Sequence, residues 1–185
     1  MKRLTQGPVA LTTARASTVR RARPWTSVAL HPEDVYLAKR QKPALNVLLQ
    51  LADLMPSYMF NAYGASLDWI GRDRALLRDT AAAMIEANRT IYRDKEKVVP
   101  IMVKATEKPK EAVEYAIDVE TRNCVWSVNT GFDPARTQWT IDNSVENGDV
   151  EKDRKPAVEQ VANLALAREA VEAAGGPVTI GACKE

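Results

Sequence analysis

The stretch from Asn46 to Ile70 constrains the fold of this chain more than any other. Leu45 to Leu51 is short and rich in Val and Leu, the composition of a strand buried on both faces. Asp53 and Pro56-Ser57 mark a turn. Tyr58 to Ser66 then alternates aromatic and small residues, as a second extended segment does, with Gly64 suited to a bend. The expectation is a β-pair near 45–66 at the head of a run of helices. That arrangement suits the middle of an α/β protein better than the start of a small one.

Helical period dominates the chain beyond Ile70. From Arg72 to Tyr92, the residues Leu77, Ala81, Met84, Ile85, Asn88, Ile91 and Tyr92 form one stripe, which leaves Arg74, Arg78, Asp79, Glu86, Arg89 and Arg93 to solvent. A second helix runs from about Lys95 to Ala105, where Pro100 marks a kink or the true start. Pro109 opens a third, with Val113, Ala116, Ile117 and Glu120 on one face. Asp133-Pro134 is an N-cap and first-position pair, and Gly148 a C-terminal stop. One or two further helices span Pro156 to Ala174 and end at Gly175-Gly176. A short helix from Pro32, ended by Pro43, precedes all of these. The fold class expected is therefore helix-dominated α/β, with the β-pair followed by about five to six helices.

Charge is divided unevenly. Residues 1–30 hold six basic residues and no acid, whereas the remainder holds 20 basic and 24 acidic residues. The mildly acidic body argues against nucleic-acid binding. Residues 1–30 follow neither the strand nor the helix period and are read as a disordered basic head outside the fold. Residues 31–176 are read as the folded domain and 177–185 as a tail. No apolar run reaches the roughly 18 residues of a membrane span, and the head lacks the apolar stretch of a secretory signal.

Chemistry-bearing residues are sparse. His31 is the single histidine and is read as a loop residue. With no CxxC spacing, a metal site is not expected, and no cofactor either. Cys124 and Cys183 are expected to be free thiols, a disulfide being the alternative. Asp53 and Asp68 are explained as turn former and helix-start residue, although they could form a carboxylate couple. Without a nucleophile–base pair, no enzyme is expected. Tyr58, Asn61 and Tyr63 are the candidate ligand contacts, because ligands of α/β proteins bind at strand ends.

The order of these features resembles a known family. Val47-Leu48-Leu49-Gln50-Leu51-Ala52-Asp53-Leu54-Met55-Pro56-Ser57-Tyr58 is similar to the return segment of ABC-transporter substrate-binding proteins of the nitrate/sulfonate/taurine and thiamine-pyrimidine-precursor type. Ala65 to Ile70 looks like that family's strand end leading to a helix. Ala83 to Tyr92 looks like its alanine- and glutamate-containing helix, and Asp94 to Val99 like the helix after it. Val145 to Val150, Arg154-Lys155-Pro156 and Ala167 to Gly176 resemble its C-terminal end. Order and spacing carry the likeness, over roughly residues 40–176.

The resemblance implies part of a lobe of a bilobed, periplasmic-binding-protein-like type II fold. It implies a small-molecule ligand, an ABC permease as partner and an extracytoplasmic location, or a cytoplasmic one if Met1 is the true start. It also implies a truncated chain, short of most of the family's ligand contacts, with self-association through exposed apolar helix faces. The alternative reading is a soluble helical interaction module that takes no ligand.

Overall fold

In the computed structural model the described residues are 28–57, 59, 61–130 and 132–183. Most of the basic head, together with Tyr58, lies outside them. Among the described residues there are nine α-helices and a single 3₁₀ turn: α1 Pro32–Gln41, α2 Leu51–Leu54, α3 Leu67–Arg72, α4 Arg74–Arg93, α5 Lys95–Thr106, α6 Lys110–Arg122, α7 Pro134–Glu146, the turn Lys152–Arg154, α8 Val158–Val161 and α9 Leu164–Ala173. The helix-dominated part of the expectation holds.

The β-pair does not. Among the described residues, no strand lies between 45 and 66; the segment 45–50 is irregular and Leu51–Leu54 closes one helical turn instead. The sequence carried strand composition there. A strand, however, needs a neighbour to take its N–H and C=O groups, and among the described residues none pairs with this segment. The lone extended pairing among the described residues is a bridge between Ile180 and Cys183.

Three apolar clusters organise the helices. Val98 and Val99 of α5 meet Val113 and Ile117 of α6, with Ile91, Met102 and Val103 around them. Ile85 of α4 meets Ala170 and Val171 of α9. Ile141 of α7 packs with Val158 and Ala162 at α8, beside Phe132 and Leu164. Fully burying each such side chain contributes about 1.5–3 kcal/mol. Small residues set the α4–α9 distance: Ala81, Ala170 and Ala174 let the two backbones approach closely. α1 buries no residue, yet it lies along α6 through Tyr36 on Tyr115, 5.3 Å between ring centroids. Lys108 also pairs with Asp34.

Caps follow the sequence signals. Asp94 accepts from the Lys97 N–H, Asp133 from the Ala135 N–H, Asn163 from the Leu166 N–H and Ser66 from the Trp69 N–H. Pro100 neither starts nor breaks α5, which runs through it to Thr106 and ends at Glu107, φ 57°. At α5's sixth position the proline forfeits one intrahelical bond, a loss that burial of its neighbours Val98 and Val99 offsets.

Candidate functional site

The sequence placed ligand contacts at Tyr58, Asn61 and Tyr63. Tyr58 lies outside the described residues. Asn61 and Tyr63 are exposed, Tyr63 to 81%, on an irregular segment. Without a sheet there is no strand end to gather them, and nothing in the described chain brings the two together. Asp53 and Asp68 are both exposed, one in α2 and the other in the first turn of α3. His31 is exposed at the N-cap of α1.

What the fold does assemble is a polar seam between α4 and the loop 126–129. Its centre is Arg89, which helical period assigned to solvent and which is only 1% exposed. The guanidinium donates from Nε to the Val128 carbonyl (2.8 Å), from Nη1 to that of Ala174 (2.5 Å) and from Nη2 to that of Gly176 (2.7 Å). Glu86, one turn back on α4, places a carboxylate oxygen 3.7 Å from Nη1. Flanking positions of the same helix extend the seam: Asn88 Nδ2 donates to the Ser127 carbonyl and the Tyr92 hydroxyl to that of Trp126. Asn129 then holds residue 178 in both directions, accepting its N–H and donating to its carbonyl. Ala174 and Gly176 sit at the C-terminal end of α9, where carbonyls lack helical partners. Arg89 is thus a C-cap supplied by another helix, and a buried charge satisfied on every side.

Cys124 and Cys183 form a disulfide, with Cα atoms 5.4 Å apart, which corrects the expectation of free thiols. Nor is Cys183 frayed: it is 6% exposed and held by the bridge to Ile180. The pairing was hidden because 59 residues separate the two cysteines, and only the folding of α4, α6 and α9 brings them together. Cys124 has a φ of 51°, a left-handed conformation that costs a non-glycine residue about 1 kcal/mol and is fixed here by the end of α6 and the cross-link.

Behind the disulfide lies a cavity of about 230 Å³. Asn123, Trp126 and Arg136 line it, together with Pro56 and the two half-cystines. The Trp126 indole N–H donates to Glu120 at 3.2 Å. Burial pushes the Glu120 carboxyl up, with Glu33 adding to the shift and the indole bond opposing it. A second, open concavity of about 480 Å³ lies between α4 and α9, lined by Arg78, Arg168, Glu169 and Glu172. At its rim, a two-pronged hydrogen bond from Arg74 holds the Glu169 carboxyl below the usual carboxylate range.

Among the described residues, no group of three or more His, Cys, Asp or Glu is placed to hold a metal ion, and no helix is long and apolar enough to cross a membrane. No protein-family model, curated protein or solved structure matches the chain.

Proposed function

We propose that the chain is the helix-rich part of a solute-binding protein of an ABC-type uptake system, which takes a small solute such as a sulfonate, nitrate or a thiamine pyrimidine precursor and passes it to a permease. One observation carries the reading. Val47, Leu48 and Leu49 stand at successive positions and are all exposed, with Leu51 and Leu54 beyond them. Successive side chains of an extended segment point to opposite faces, so this run is bare on both. A segment apolar on both faces belongs inside a sheet covered on two sides, as in the lobes of α/β binding proteins. In this chain the segment is irregular and uncovered, as an apolar run would be without the sheet that its composition suits.

Two further features support the reading. The segments Ala65 to Ile70, Ala83 to Tyr92, Asp94 to Val99 and Ala167 to Gly176, which resemble the family, fall mainly in α3, α4, α5 and α9. The disulfide fits an oxidising, extracytoplasmic location. Tyr63 and Asn61, exposed now, would then face the completed cleft.

The test is a thermal-shift and tryptophan-fluorescence titration of the chain, alone and joined to the upstream lobe of a protein of this type. Alkylsulfonates, nitrate and aminopyrimidines are the solutes. A saturable response of the joined protein to one of them is expected. No response to any, with a defined ligand-free oligomer by light scattering, would replace this reading with the helical interaction module.

A further inference from the structure

One wall of the cavity behind the disulfide is formed by a partly exposed arginine with an unsatisfied nitrogen. Arg136 lines it, and its Nε is shut off from solvent with no hydrogen-bond partner. No carboxylate lines the cavity; Glu120 accepts from the Trp126 indole and Asp133 from the N–H of Ala135. Arg136 also sits in the first turn of α7, a helix of 13 residues, where the aligned peptide dipoles already present positive charge. A guanidinium N–H that is desolvated and unbonded is costly to bury. Arg89 on α4 shows what this fold does with a buried guanidinium when partners are available: it fills every position.

We propose that this cavity is a binding site for a small oxyanion, a carboxylate or sulfate, held by Arg136. The planar guanidinium fork matches two oxygens of such an ion. Asn123 supplies a further polar group in the lining, and the volume of about 230 Å³ accommodates an ion of this size. Because Cys124 and Cys183 form part of the wall, the site exists only in the cross-linked chain. The proposal stands on the cavity alone and does not depend on the solute-binding reading, whose contacts lie at Asn61 and Tyr63.

Sulfate and acetate, with chloride as the control for ionic strength, are titrated into the oxidised full chain while the Trp126 indole and Asn123 amide signals are followed by NMR. The variants are Arg136→Met and Arg136→Lys. Saturable shifts at both reporters in the wild type are expected, at least tenfold weaker in Arg136→Met and partly restored in Arg136→Lys. Without oxyanion, Arg136→Met should melt no lower than the wild type, because it removes a desolvated, unbonded N–H, and it should lose the wild type's stabilisation by sulfate. Equal binding by wild type and Arg136→Met, shifts that chloride reproduces, or no shifts at all would each overturn the proposal. Should Arg136→Met fold poorly, a wild-type response that disappears on reducing the disulfide, with helicity unchanged, supports the site; a response that survives reduction overturns it.

Discussion

Two regions of the chain handle apolar and polar groups in opposite ways. In the body, from α4 to residue 178, even an arginine is buried and every prong of it is bonded, so α4, the 126–129 loop and the end of α9 are specified together. In the segment 45–67, six leucines or valines and a tyrosine stand exposed, and the backbone forms one turn of helix before α3. Composition alone would rank these regions the other way round, since the segment is the more apolar. Apolar character becomes structure only where a complementary surface exists; the body supplies its own and the segment does not.

The sharpest way to break this comparison is Arg89→Met. It leaves the carbonyls of Val128, Ala174 and Gly176 without a donor and should lower stability by roughly 3–5 kcal/mol in urea unfolding. A loss below about 1 kcal/mol would show that the seam is ornamental. Next comes the double variant Cys124→Ser with Cys183→Ser. Opening a cross-link over 59 residues should remove about 2–4 kcal/mol, read as a lower denaturation midpoint. An unchanged midpoint would mean that residues 177–183 are not part of the cooperative unit.

Glu120→Gln has a smaller effect with a defined sign. Burial raises the carboxyl's pKa, so the folded protein favours its protonated form. That contribution to stability is complete below the unfolded-state pKa and is lost as pH rises through the folded one. Glutamine keeps an acceptor for the Trp126 indole without the charge. The variant should match the wild type in acid and melt higher by about 1–2 °C at neutral pH, and a lower melting temperature there would refute the burial argument. Smallest of all, Leu48→Ser with Leu51→Ser should shift the stability of the isolated chain by no more than about 0.5 kcal/mol. Sedimentation should show weaker self-association. A large destabilisation would mean that the segment already packs on the body.

Periodicity and punctuation made the helices legible. Asp133-Pro134 starts α7 as expected, and Val113, Ala116 and Ile117 form the buried face of α6. The stripe on α4 differs from the expectation at three positions. Met84 is exposed to 36%, whereas Ala82 and Arg89, which lie outside the expected stripe, are buried. Hydrophobic period cannot mark a buried cation, because the groups that make Arg89 tolerable are backbone carbonyls, identical in every residue and fixed only by tertiary structure. The disulfide was illegible for the same reason of distance. The β-pair misled because strand propensity describes fit to a half-buried surface and not a preference of the chain by itself. Of the predicted contacts, Asn61 and Tyr63 stayed dispersed with the segment that carries them, whereas Asn123, Trp126 and Arg136 carried no motif that would have announced a cavity.

The Arg89 clamp also sets an order of events in folding. Its carbonyl partners lie 39, 85 and 87 residues further along the chain, while α5 and α6 are sequence neighbours. Closing the longer loops adds less than about 1 kcal/mol of entropy over the shorter one, but none of these contacts can reward the chain until α9 has docked. The α4–α6 hairpins should therefore form early, and the arginine should lock late. Substitution at Arg89 then speeds unfolding far more than it slows folding, which makes this one side chain a timer on the native state's lifetime.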